Sequence, residues 1–253
     1  MHTTSFLKRV NLFIRSLLFS MSSIIAVFFY AFVCLAFAFA PIKYSYGAAV
    51  SYTRFALRML KWICHVDYQI VGLENIPKDR SGVILCKHQS TWETFLLPGL
   101  FNQPAIILKR ELLWVPFFGW GLATTRPIAI NRSDKASAME QIIKEGKKRL
   151  AEGRWILVFP EGTRIPPGKV GNYRLGGARL AVAAGCPVIP IAHNAGRFWR
   201  KRHFIKRPGT IQVVIGPIIE TQGRKAEEVM REAKNWIEQT MLAIDAPYSF
   251  FKS

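Results

Sequence analysis

Residues 17–42, a run of 26, carry no charged side chain, and residues 24–40 are almost wholly apolar. As a helix the run is long enough to cross a hydrocarbon core of about 30 Å. A cleaved signal peptide is the competing reading, since Ala38-Phe39-Ala40 has the form of a cleavage tripeptide. Against it stand Pro41 immediately after and the excessive length of the uncharged run. A second segment, residues 48–63, has helical spacing, with Arg54, Arg58 and Lys61 in one basic stripe and Tyr52, Phe55, Met59 and Trp62 on other faces. That pattern, beside so long an apolar run, favours a helix lying in a membrane interface over a surface helix packed on a domain. Basic residues flank both ends of the apolar run, so the positive-inside rule leaves a single crossing and an embedded two-helix hairpin both open. Residues 1–66 are therefore expected to form a membrane anchor with an amphipathic helix.

Charge agrees with a lipid surface. The chain of 253 residues is half hydrophobic yet has a net charge of +19. No acidic residue precedes Asp67, whereas seven cations do. Such a balance calls for an anionic partner, a membrane or a nucleic acid. Residues 197–207, RFWRKRHFIKR, mix cations and aromatics as single-strand binders do. The apolar N-terminus favours an anionic membrane surface and no nucleic acid. Cys34, Cys64, Cys86 and Cys186 are scattered without a CxxC pair or Cys/His cluster, which suggests reduced thiols rather than a metal site or disulfide framework.

Beyond Asp67, strand-like runs at 68–71, 82–87, 105–108, 127–130, 155–159, 188–192 and 212–215 alternate with helical patterns. The clearest helix starts at the cap Ser133-Asp134, buries Met139, Ile142, Ile143 and Leu150, and stops before Gly153. Others span about 177–184 and 225–244. Alternation of this kind predicts an α/β fold, a mainly parallel sheet flanked by helices, preceded by the membrane-embedded two-helix module. The catalytic domain would be residues 67–253. Pro190 interrupts the run 188–192 and predicts an edge strand or cleft wall there.

Chemistry in such sheets gathers at the carboxyl ends of strands. His88 stands at the end of the buried run 82–87, and Glu93 follows five positions on. Five residues put the two on different helical faces, so the pair fits a strand-to-helix junction. There the carboxylate would hold one ring nitrogen and leave the other to take a proton. Taken alone, the pair reads more readily as a histidine satisfied by backbone. The run 155–159 leads directly into Phe159-Pro160-Glu161-Gly162-Thr163-Arg164, a turn in which Gly162 lets a ligand approach and Arg164 offers a planar fork for phosphate. Between these stretches, residues 108–132 combine Lys109, Arg110, Arg126 and Arg132 with the apolar block 114–120. A fatty chain and a phosphate together need both characters, although the aromatics would also serve as core.

In this order the four blocks resemble the 1-acylglycerol-3-phosphate acyltransferase branch of the glycerolipid acyltransferases. His88 and Glu93 match its histidine and acid separated by four residues, and residues 159–164 match its phosphate-binding signature. Residues 109–132 and 188–191 match its other two blocks. The family's usual acid is aspartate, so Glu93 is one methylene longer. The resemblance implies acyl transfer from a thioester, on acyl-CoA or acyl carrier protein, to the free hydroxyl of a lysophospholipid. His88 would be the base and Glu93 its support, while Lys109, Arg110, Glu161, Gly162, Thr163 and Arg164 would form the substrate-binding set. For Glu161, holding the turn or Arg164 fits as well as touching the acceptor. No metal and no cofactor beyond the acyl thioester are implied. The absence of a G-x-S-x-G elbow predicts direct attack without an acyl-enzyme, with Ser90 the nearest alternative nucleophile. Glycerol 3-phosphate or lyso-ornithine lipid as acceptor, and a membrane esterase using water, are the rival activities. A bacterial-type inner membrane, with the catalytic domain facing the cytoplasm, is the expected location.

Overall fold

The computed structural model describes residues 2–131 and 134–246. Arg132 and Ser133, which belong to the sequence expectations above, lie outside the described residues. The chain opens with α1 (His2–Ala36) and α2 (Ile42–Cys64), packed antiparallel. Cys34 meets the Ser45 carbonyl near the closed end, and Cys64 meets the Arg15 carbonyl near the open end. His65, in the left-handed region at φ 53°, ends α2, and the first strand follows at once.

Seven strands form one sheet: β1 (Val66–Val71), β2 (Val83–Cys86), β3 (Ala105–Lys109), β4 (Ile128–Ile130), β5 (Ile156–Val158), β6 (Val188–His193) and β7 (Gly209–Ile215). Their order is β1-β7-β6-β2-β5-β3-β4, and every neighbouring pair is parallel except β6 with β7. Each strand run expected from sequence is present. The fold is the α/β class read from the alternation.

β6 departs from the expectation of an edge. It lies inside the sheet between β2 and β7, with Leu85 opposite Pro190. Proline is tolerated there because β7 pairs only with residues 191–193. The Pro190 carbonyl, on the side where its missing N–H would point, accepts from Gly216 just beyond the end of β7.

Among the described residues five further α-helices follow: α3 (Trp92–Leu96), α4 (Phe118–Thr124), α5 (Lys135–Ala151), α6 (Gly176–Ala184) and α7 (Ala226–Asp245). Asp134 caps α5, its carboxylate accepting from the Ala136 and Ser137 amides at 3.1 Å each. Side chains alternate across β2, so Val83 and Leu85 face α5, α6 and α7 in one core. Ile84 and Cys86 face the opposite core, which contains Phe19 of α1 and Leu57, Leu60 and Cys64 of α2. The N-terminal hairpin is thus one covering layer of the sheet.

Of the two readings of α2, its packing favours the helix laid on the domain. Its apolar face, Ala56, Leu57 and Leu60, is buried in the domain, while the basic stripe Arg54, Arg58 and Lys61 is exposed. For α1 the outer face is different: Phe6, Phe13, Ile14, Leu18, Ile25 and Phe29 are all exposed. Residues 6–36 are long and apolar enough to cross a membrane by length and composition. The block around residue 114 continues this surface, since Trp114, Phe118 and Trp120 are exposed rather than core.

Candidate active site

β2 ends at Cys86, and the chain turns through His88 to Ser90 before entering α3. Glu93 lies in the first turn of α3 and folds back over that bend. Its Oε1 is 2.7 Å from His88 Nδ1 and accepts from the Gln89 and Ser90 amides at 3.0 and 2.9 Å. The extra methylene of glutamate is therefore used: one carboxylate collects the imidazole and two backbone donors. Burial alone would push the Glu93 carboxyl up. The hydrogen bonds from His88 and the Ser90 amide oppose burial, and the carboxyl is held below the usual carboxylate range. Ionised Glu93 requires the proton on His88 Nδ1, which leaves Nε2 as the basic atom. The His88 ring stacks on Phe159, with centroids 4.1 Å apart.

The turn after β5 clamps the same histidine by its backbone. Glu161 Oε2 accepts from the His88 amide at 2.9 Å, and the His88 carbonyl accepts from the Ile165 amide at 2.8 Å. The other Glu161 oxygen meets Lys87 Nζ at 2.8 Å, and Lys87 also reaches Glu238 Oε1 of α7 at 2.7 Å. Tyr173 donates to that same Glu238 oxygen. Lys87 and Glu161 are both buried. Burial pushes the Glu161 carboxyl up, and the Lys87 ammonium only partly offsets this. Two distant motifs are thus joined at one backbone position by a buried ion cluster.

A third clamp comes from the end of β6. His193 is buried, accepts from the Ala195 amide through Nδ1 at 3.2 Å, and meets the Lys87 carbonyl through Nε2 at 2.8 Å. Those partners fix the Nε2–H tautomer. Burial pushes the His193 pKa down, which keeps the ring neutral although Glu93 lies 3.8 Å away. Gln89 accepts from the Gly196 amide at 3.2 Å.

In front of His88 is a cavity of about 710 Å³. Its polar end contains Gly162, Thr163, Arg164 and Lys201, joined by hydrogen bonds from Lys201; Lys109 also lines it, and the remaining lining is largely apolar, including Val27 of α1, Tyr52 of α2 and Leu122 of α4. Gly162 sits in a tight turn at φ +67°, closed by its amide on the Phe159 carbonyl at 3.0 Å. That left-handed conformation, with Arg174 3.2 Å from where a Cβ would stand, suits glycine.

Of the residues expected from sequence, His88, Glu93, Lys109, Gly162, Thr163 and Arg164 come together, with Glu93 directly behind His88. Arg110 is exposed and is not among the cavity residues. Glu161 also stands outside the cavity, in the ion cluster behind His88, which favours its turn-holding role. Ser90 is buried, and its hydroxyl accepts from the Trp92 amide, away from the cavity. Lys87, His193, Lys201 and Glu238 were not singled out by motif. Lys87 had a local signal, a lysine within an otherwise apolar strand run, and Lys201 lay in the cation-aromatic stretch 197–207.

A supported imidazole facing a chamber that is cationic at one end and apolar along its length defines an acid–base transfer site for an amphipathic, anionic ligand. Residues 67–194 match the Acyltransferase family model, and the chain belongs to that family. Over 208 residues it is 50% identical to the 1-acyl-sn-glycerol-3-phosphate acyltransferase of Pseudomonas aeruginosa, covering 81% of this chain and 80% of that one. The enzyme of the same description from Cocos nucifera is 28% identical over 174 residues, 68% of this chain and 56% of its own length. The crystal structure of the 1-acyl-sn-glycerophosphate (LPA) acyltransferase PlsC from Thermotoga maritima superposes with a TM-score of 0.80 at 25% identity. That match covers 94% of this chain and 98% of the other.

Proposed function

We propose that the protein transfers a fatty acyl group from an acyl thioester to the sn-2 hydroxyl of 1-acyl-sn-glycerol 3-phosphate, giving phosphatidic acid for phospholipid biosynthesis. The observation that carries this is the His88–Glu93 pair, at 2.7 Å, opening into the cavity that also contains Arg164 and Lys109. The acceptor's phosphate lies against the cations and its chain against the apolar walls, which brings its free hydroxyl to His88. Nε2 takes the hydroxyl proton as the oxygen attacks the thioester carbonyl, and Glu93 stabilises the imidazolium. The tetrahedral intermediate collapses with cleavage of the C–S bond. The departing thiolate takes the proton from Nε2, which restores the base. Since Ser90 stands outside the cavity, attack is direct and no acyl-enzyme forms. No cofactor is required; acyl-CoA or acyl carrier protein supplies the thioester.

Of the hairpin, α1 lies flat in one leaflet by its exposed apolar face while α2 packs on the domain, with the catalytic domain on the cytoplasmic side of an inner membrane and the basic surface on anionic headgroups. Ring contacts of α1 with the domain run from Phe13, against Phe204, to Phe32, against Phe117. Nineteen residues of helix span about 29 Å, the thickness of a hydrocarbon core. A perpendicular α1 would drag the cationic residues 200–207 into hydrocarbon, whereas a flat one buries only the exposed apolar face.

Assay of detergent-purified protein with acyl thioester and a panel of lysolipid acceptors tests the reading. Transfer to lysophosphatidate, lost in His88→Ala with the fold intact, is expected. Thioester hydrolysis unaffected by any acceptor would indicate an esterase instead.

A further inference from the structure

The three cations lining the cavity differ in what already holds them. Lys109 Nζ is paired with Glu111 at 2.9 Å, so its charge is shared with a carboxylate. Lys201 Nζ donates to Thr163 Oγ1 at 2.9 Å and to the Arg164 carbonyl at 3.2 Å, both neutral acceptors. Among the described residues no carboxylate lies within ion-pair distance of Lys201 or Arg164. An ammonium has three donors, and the protein uses two of those on Lys201.

Lys201 comes from none of the four motif blocks. It is delivered by the segment after β6, which is fastened on several sides. Trp199 packs edge-on against Phe19 of α1, with centroids 5.4 Å apart, and also against Phe95 of α3. Arg197 pairs with Asp245 at 2.8 Å, and the Arg207 amide closes back on the Phe198 carbonyl. Lys206 is buried and anchored to Ser16 and Ser20 of α1. Lys201 is thus held over the Gly162–Arg164 turn by a braced loop rather than by chance at a free end.

We propose that Lys201 is a phosphate ligand that selects acceptors bearing a phosphomonoester. A monoester, with its second ionisation near pH 6, carries about −1.5 to −2 charge at neutral pH. Arg164 and Lys201 together match that charge. A phosphodiester head carries one charge and leaves one of the two cations without compensation. The assignment rests on the acyl-transfer reading of the site and adds to it a residue that sets the acceptor class.

The test is steady-state kinetics of full-length Lys201→Met in detergent, with lysophosphatidate varied. Inhibition by dodecyl phosphate, a monoester, and by dodecyl methyl phosphate, a diester, is measured alongside. KM for lysophosphatidate and Ki for dodecyl phosphate should rise together, by about tenfold to a hundredfold, with kcat within about twofold. Ki for the diester should change far less. The wild-type advantage over Lys201→Met should shrink below pH ~6, as the monoester takes up a proton. Lys201→Arg should restore much of the affinity. Arg202→Gln, which removes an exposed neighbouring charge, should leave all constants unchanged and so exclude a general loss of surface attraction. A fall in kcat with KM unchanged, or equal shifts in both Ki values, would assign Lys201 to bracing the Thr163–Arg164 turn and overturn the proposal. Wild-type protein that acylates no lysophospholipid would overturn the function and this assignment together.

Discussion

The two sides of His88 use charge in opposite ways. Behind it every carboxylate is committed to protein: Glu93 to the imidazole and two amides, Glu161 to Lys87 and the His88 amide, Glu238 to Lys87 and Tyr173. In front of it, Arg164 and Lys201 face a cavity with no carboxylate partner among the described residues. Behind His88 the buried charges, Lys87 included, are spent on one another and on the backbone, and in front of it two cations are left for the ligand. The difference teaches that charges behind His88 and charges in front of it should fail in different ways when removed.

The largest effect should come from the atom between the two sides. His88→Ala should lower kcat by about a thousandfold or more, measured with saturating thioester and lysophosphatidate, with an unchanged circular dichroism spectrum. Residual activity near wild type would remove the base from the account.

Next is the buried cluster. Lys87→Met leaves Glu161 and Glu238 without their shared cation, at a cost of roughly 3–5 kcal/mol for a broken buried pair. In a chain of this size the melting temperature should fall by about 10 °C. Restoration by the additional change Glu161→Gln, in part, would show that the unpaired carboxylate is the cause.

Gly162→Ala asks whether the turn in front depends on its backbone. Placing a Cβ at φ +67° costs roughly 1–2 kcal/mol, and the change should appear mainly as a raised KM for the acceptor.

The smallest effect is the pH dependence of stability. His193 has its folded-state pKa below the ordinary value, so the unfolded chain takes up the proton first as pH falls. Its contribution is present above about pH 6.5 and is lost progressively below that. Glu93, also lowered, adds its own loss only below about pH 4.3. Between about pH 7 and 5.5 the melting temperature should decline in the wild type and decline less in His193→Gln.

Much of this arrangement was legible in the sequence because its signals are local. The run 82–87 reads as a buried strand without reference to anything distant, and Asp134 announces the start of α5 by its own capping chemistry. His88 and Glu93 were recognisable once the turn at 159–164 was considered with them. What stayed hidden are pairings across long separations. Lys87 meets Glu238 151 positions away, and Lys201 meets Thr163 38 positions away, and neither pair has a spacing rule. Pro190 misled for a related reason. A proline inside a sheet is acceptable only if its neighbour strand stops short, and the end of β7 is a tertiary fact. The basic stripe on α2 likewise does not reveal that the opposite face is covered by the sheet.

The division between holding and binding is tested most directly by the Michaelis constants of Glu93→Gln for lysophosphatidate. Removing the charge while keeping the shape should lower kcat by about a hundredfold or more and leave KM within about twofold, with Glu93→Asp losing far less. A raised KM with kcat retained would place Glu93 on the ligand side of His88 and contradict the account.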